Sequence, residues 1–128
     1  WKKKLKVFGN DWPTHDGTCI RDYIHVSDLA EGHLKALDFL FKNNNQLINI
    51  NIGSGKGYSV LDLIKTFETV NNVEVPFIFS NRRDGDTCKL VANNSKAKQI
   101  INWHPIKSLD EMCRDGWKWK LMNPEGYS

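Results

Sequence analysis

The residues with the most chemical potential in this chain stand in two short charged segments. Arg82-Arg83-Asp84-Gly85-Asp86 sets two guanidiniums beside a flexible glycine and two carboxylates. A planar guanidinium fork matches phosphate oxygens, and an aspartate accepts ribose hydroxyls, so this run could clamp a nucleoside diphosphate. A solvated charged loop is the more common fate of such a run, and local sequence leaves both open. Arg21-Asp22-Tyr23 places charge inside an otherwise extended stretch. A functional cleft explains that, and so does an Arg–Asp pair at a strand edge.

Other candidates carry less. Gly53-x-Gly55-x-Gly57 lies between a strand-like run and a helix-like one, where glycines could let backbone approach a pyrophosphate. The dinucleotide fingerprint needs G-x-G-x-x-G, and Tyr58 holds its last position. Glu74, about 20 residues on, is flanked by Asn72 and Pro76, a poor setting for a ribose-binding strand. A tight strand-to-helix turn is the better reading. His25 and His33 have no carboxylate or second histidine at metal-ligand spacing and read as structural, so no metal is expected. There is no nucleophile elbow, P-loop or Cys–His pair. Trp103, Trp117 and Trp119 suit core packing, because no basic stripe interleaves them for base stacking.

The elements that must position these residues follow from periodicity and caps. Leu5-Lys6-Val7-Phe8 predicts a strand stopped by Gly9-Asn10, and Ile20 to Val26 a second extended run. Asp28 with Glu31 predicts the start of a helix near Ser27 or Asp28, with Ala30, Leu34, Leu37 and Phe41 as its apolar face and Asn43-Asn44-Asn45 as its end. Leu47 to Ile52 alternates as a strand does. Ser59 with Asp62 caps a helix carrying Leu61, Ile64 and Phe67. Short strands are expected at Phe77–Phe79 and Lys89–Ala92, and a small helix at Asn94–Ile101. A last helix is capped by Ser108 and Glu111 and broken at Asn123-Pro124. Strands and helices are mixed, an α/β or α+β unit with no repeats or long linkers.

Composition sets the outer bounds. At 128 residues, 40% hydrophobic and 26% charged, the chain fits one ordinary globular domain, 1–128. A net charge of +3 makes no sustained basic field and gives no case for nucleic acid. The run Lys2-Lys3-Lys4-Leu5-Lys6 reads as a solvated edge or tail. Cys19, Cys88 and Cys113 are odd in number, widely spaced and without a CxxC pair, which argues against disulfides and zinc and suits the cytoplasm. No apolar run nears the roughly 18 residues of a membrane span. Trp1 stands where an initiator Met would, and no signal peptide follows, so a longer parent is expected.

In order and spacing these segments resemble the carboxy-terminal part of the UDP-glucose 4-epimerases, extended short-chain dehydrogenase/reductase enzymes. The resemblance rests on Val7-Phe8-Gly9-Asn10-Asp11-Trp12-Pro13-Thr14, Asp16-Gly17-Thr18, Arg21-Asp22-Tyr23-Ile24-His25-Val26, Asp28-Leu29-Ala30-Glu31-Gly32-His33, Asn51-Ile52-Gly53-Ser54-Gly55 with Ser59-Val60, Arg82-Arg83-Asp84-Gly85-Asp86 and Asn123-Pro124-Glu125-Gly126-Tyr127. It implies the small substrate-binding domain of that fold without its NAD-binding Rossmann domain. It also implies that the backbone of Lys6, Val7 and Phe8 meets the uracil ring, that Arg21 and Arg83 contact the diphosphate, that Asp86 holds the uridine ribose and that Tyr23 lies near the phosphates. Leu90 falls where the family sets the room around the sugar: a bulky aromatic restricts it and a small residue admits N-acetylated sugars. Trp12 replaces the tyrosine more often found before Pro-Thr.

In that family NAD takes hydride from the sugar's C4 while a tyrosine of a Tyr-x-x-x-Lys pair takes the hydroxyl proton, its phenol made more acidic by the lysine. Here Ser27 follows Tyr23 by four, Asp62 follows Tyr58, and Tyr127 is followed only by Ser128. The resemblance therefore implies a UDP-sugar partner, NAD only in the complete enzyme, none bound to this chain alone, and no epimerisation by the chain alone. Apolar faces that would pack on the Rossmann domain are expected to favour self-association. Two alternatives stay open: a related sugar-nucleotide dehydratase or decarboxylase, and a free-standing non-catalytic nucleotide-sugar-binding or interaction module.

Overall fold

A computed structural model describes residues 4–44 and 47–126. Lys2 and Lys3 of the basic run, Asn45 of the asparagine stop and Tyr127 of the closing segment lie outside them. The described residues form five strands and four helices, in the order β1 (Leu5–Phe8), β2 (Ile20–Arg21), α1 (Val26–Lys42), β3 (Tyr58–Ser59), α2 (Val60–Asn71), β4 (Phe77–Ser80), β5 (Lys89–Leu90), α3 (Ser95–Ile101) and α4 (Leu109–Met122). The mixed α/β expectation holds.

The strands form two small sheets. β1 runs parallel to β4, with Leu5 opposite Phe77 and Phe8 opposite Ser80. β2 is central in the other sheet, antiparallel to β3 and parallel to β5, so that Arg21 lies opposite both Tyr58 and Leu90. The amides of Leu5 and Gly9 donate to Pro76 and Ser80 on β4, so the amides of Lys6 and Phe8 point to the other edge of β1. Among the described residues no strand covers that edge.

Two local signals hold closely. At Ser59 and at Ser108 both halves of a capping box form: the hydroxyl accepts from the amide three residues on, and Asp62 or Glu111 reaches back to the cap amide. α2 and α4 then pack together, with Phe67 edge-on to Trp117 at 5.6 Å.

α1 departs from its sequence signals in two ways. It begins one turn earlier than Asp28 suggests: His25 is the N-cap, and its Nδ1 accepts from the Ser27 amide at 3.0 Å. Asp28 instead turns its buried carboxylate to the amides of Ile106 and Lys107, at 3.1 and 2.9 Å. The face of α1 that meets the core is also not the one its large residues mark. Gly32, Ala36 and Phe39 face a core of Ala97, Ile101 and Trp103, while Leu34, Leu37 and Phe41 are exposed. A Cβ on Gly32 would stand 2.7 Å from Ile52 Cδ1, so a glycine lets the helix come this close.

Residues 47–52 form no strand among the described residues, correcting the expectation from their alternation. Ile48, Ile50 and Ile52 do turn one face to the Trp103 core, as a period of two requires. What the segment lacks is a ladder partner. The second extended run is likewise shorter than expected, since only Ile20–Arg21 pairs before His25 starts the helix. Trp103 is packing, as expected, and donates its indole N–H to the Asp28 carbonyl at 3.0 Å.

Candidate functional site

The two charged segments meet at one carboxylate. Arg21, on β2, donates from Nη1 to the carbonyls of Ile20 and Thr87 at 2.9 and 2.8 Å, which leaves Nη2 3.5 Å from Asp86 Oδ1. Arg83 meets the same group with two bonds, Nε to Oδ2 at 3.0 Å and Nη2 to Oδ1 at 3.2 Å. Its guanidinium carbon also lies 4.6 Å from the centroid of the Phe8 ring on β1. The bonds from Arg83 hold the Asp86 carboxyl below its ordinary value, against partial desolvation and helped by the charges of Arg83 and Arg21.

The loop around these residues is built for this meeting. The Asp86 amide donates to the Arg83 carbonyl at 3.2 Å, and Gly85 between them takes φ +81, a left-handed conformation that glycine adopts without strain. Parallel pairing of β2 with β5 then delivers Asp86 and Thr87 beside Arg21. Arg83 is 59% exposed and Asp86 only 17%, so the carboxylate is the inner counter-ion and one guanidinium remains open to solvent. Two cations around one anion leave a local excess of positive charge, suited to an anionic ligand.

The remaining predicted residues divide. Phe8 is at the cluster through Arg83, and Leu90 is largely exposed opposite Arg21, on the wall of a cavity of about 510 Å³ that Asp22 and Asn51 also line. The Lys6 side chain is exposed, whereas Val7 is 1% exposed and turned to the core. Tyr23 lines a different, apolar cavity of about 660 Å³ shared with Leu5, Phe67 and Cys113. Burial pushes its phenol up, while the charge of Arg21 pulls the other way. This cavity is thus separate from the arginine cluster.

Asp22 does not pair with Arg21. Its carboxylate accepts from the Ser54 amide at 2.7 Å, the Gly55 amide at 2.9 Å, the Ala92 amide at 3.1 Å and the Ser54 hydroxyl. The glycine segment is therefore a turn whose amides are filled by a side chain of this chain, and these residues do not fit a dinucleotide pyrophosphate. The histidines are structural: His25 caps α1 and meets Asp115 at 3.1 Å, and His33 Nδ1 bonds the Leu29 carbonyl at 2.8 Å. Among the described residues His15, Asp16 and Asp62 bring possible metal-ligand atoms within 4.8 Å of one another. Their oxygens already serve the fold, Asp16 bonding Ser59 and Thr18 and Asp62 the Ser59 amide. No helix among the described residues is long and apolar enough to cross a membrane. Sequence reasoning passed over Asp22 as an anchor and Asp11 with Arg82, which pair at 2.8 Å. The one usable signal for the latter was an arginine adjacent to Arg83.

The fold, apart from the cluster, is that of the carboxy-terminal part of an extended short-chain dehydrogenase. The model of the GDP-mannose 4,6 dehydratase family matches residues 2–116, and the chain belongs to that family. It is 50% identical over 125 residues to UDP-glucose 4-epimerase of Bacillus subtilis, a match covering 98% of this chain and 37% of the relative, and 44% identical to that of Drosophila melanogaster. Among solved structures it resembles UDP-glucose 4-epimerase of Stenotrophomonas maltophila with bound NAD and formylated UDP-arabinopyranose, at 46% identity, TM-score 0.89, and 94% and 36% coverage of the two chains. The enzyme of Bifidobacterium longum in complex with NAD+ and UDP gives 38%, 0.91, and 98% and 37%. The chain spans little more than a third of the length of these relatives.

Proposed function

We propose that this chain is the nucleotide-sugar-binding portion of a UDP-glucose 4-epimerase, with Arg21, Arg83 and Asp86 as its anchor. The observation that carries the reading is the shared carboxylate. Asp86 holds guanidiniums from two separate elements close enough to face one diphosphate, at the end of β1 where backbone amides point outward. In this reading the backbone of Lys6 and Phe8 meets the uracil, with Val7 holding the strand down between them. Asp86 accepts from the ribose and Leu90 borders the sugar, while Tyr23, in the separate apolar cavity, is left out of the anchor. In this reading NAD and the tyrosine base are supplied from outside residues 1–128, so the chain alone is expected not to interconvert UDP-glucose and UDP-galactose.

Calorimetric titration tests this. UDP is expected to bind the wild-type chain weakly, and Arg83→Ala is expected to lower the affinity about 10-fold or more, because a hydrogen bond to a charged group contributes about 1.5–3 kcal/mol. Equal affinity of the two proteins for UDP would remove Arg83 from the site. A related sugar-nucleotide enzyme is the second reading, favoured by the dehydratase name of the matching family model. UDP-glucose bound in preference to GDP-mannose counts against a GDP-mannose dehydratase.

A further inference from the structure

Arg82 and Arg83 are neighbours in sequence and point to opposite sides of the end of β1. Arg83 lies over Phe8. Arg82 lies over the ring of Trp12, its guanidinium carbon 3.9 Å from the centroid, and donates to Asp11 twice, Nε to Oδ1 at 2.8 Å and Nη2 to the carbonyl at 2.7 Å. The Trp12 indole N–H in turn donates to the Phe8 carbonyl at 3.4 Å. The Trp12 backbone N–H donates a hydrogen bond to the Gly17 carbonyl at 3.0 Å. Gly9, at φ +80, makes room for this: a Cβ there would stand 2.3 Å from the indole nitrogen and 3.0 Å from Arg82 Cγ.

We propose that Asp11, Trp12 and Arg82 form a clasp that positions the 81–86 loop against β1, setting the distance between the outward edge of β1 and the Arg83–Asp86 pair. The role rests on the nucleotide-binding reading of that pair; the clasp itself does not. In this arrangement Arg82 commits Nε and Nη2 to Asp11 and one face to the indole. The clasp also reaches the open edge of β1, where the indole N–H takes up one lone pair of the Phe8 carbonyl. A lysine at 82 would keep the charge and lose both the stacking plane and the twofold bond, so Arg82→Lys is a disruptive change here.

Two measurements on the chain test the proposal. The first is NMR of the arginine Nε–H groups without ligand. The Arg82 signal is expected to be displaced by the indole ring current, to move to the free-arginine position in Trp12→Ala, and to stay displaced in Trp12→Phe, which keeps a ring face. A wild-type Arg82 signal at the free-arginine position overturns the clasp. The second is titration with UDP and with uridine, which lacks the diphosphate. Trp12→Ala and Arg82→Lys are expected to weaken UDP about 10-fold and uridine no more than about 2-fold, the scale of one cation–π contact or charged hydrogen bond. A fold that was merely loosened would weaken both ligands alike, and an unchanged ratio overturns the positioning role. A wild-type chain that binds neither ligand overturns the nucleotide reading and that role with it, while the Arg82 signal still decides the clasp. Should Trp12→Ala not fold, the Arg82 signal of the wild type and of Trp12→Phe carries the first test and Arg82→Lys the second.

Discussion

At the scale of single residues the fold depends on carboxylates that gather amides. Asp22 is the clearest: four donors from the 54–55 turn and from Ala92 converge on it, tying both to β2 beside Arg21. Asp22→Asn would turn an amide NH2 toward some of those N–H groups, leaving donors facing donors. The expected cost is about 2–3 kcal/mol, within the range for buried donors left unpaired, seen as a lower urea midpoint at unchanged slope. A midpoint equal to wild type would show that the turn holds without the charge. Thiol chemistry separates on the same scale. Cys19 and Cys113 are buried and burial pushes the Cys113 thiol up, so Cys88 is expected to react first with a thiol reagent. Labelling of Cys19 or Cys113 ahead of Cys88 would contradict the packing. The candidate residues stood out in the sequence, since two arginines beside aspartates suit an anion, although local sequence left a solvated charged loop open as well. Their partners did not, because Arg21 reaches Asp86 and Asp22 reaches Ser54 through chain folding that local sequence does not encode.

At the scale of elements, legibility followed sequence distance. The caps at Ser59 and Ser108 close within three residues and were readable in full. Asp28 looked like a third cap and is not one, because its partners, Ile106 and Lys107, come from the other end of the chain. The alternation of residues 47–52 gave the inward face correctly but could not supply a pairing partner. The Ser108 cap has a consequence in acid. Bonds from Lys107, the Ser108 amide and the Ser108 hydroxyl hold Glu111 at about 2 against an ordinary 4.5. Its folded value lies below its unfolded one, so its contribution is complete above about 4.5 and is lost as pH falls toward about 2. The stability gap between wild type and Glu111→Gln is expected to shrink between pH 6 and pH 2.5, measured by urea unfolding; parallel acid profiles would contradict the assignment.

At the scale of the whole molecule, the arrangement leaves apolar surface outward. Leu34, Leu37 and Phe41 share a stripe on α1, with Phe41 81% exposed, and Leu47 beyond its end is 90% exposed. Surface of this kind favours association in water. Light scattering of the chain is expected to show a mass rising with concentration, and Leu37→Glu with Phe41→Glu is expected to return it toward the monomer. A constant monomer mass in the wild type would show that the stripe stays solvated. The stripe also explains why helical periodicity pointed to the wrong face: large side chains mark α1 outward, and small ones, Gly32 and Ala36, let it approach Trp103.

The parallel pairings that build the cluster also set when it can exist. Leu5 waits for Phe77, and Ile20 for Lys89, before either sheet closes. Contacts so remote in sequence form late and slow the search for the native state. During synthesis Arg21 emerges long before Asp86, and for that interval it has no counter-ion from the loop. The cluster thus closes only once pairings remote in sequence have formed, whereas the caps at Ser59 and Ser108 close within three residues.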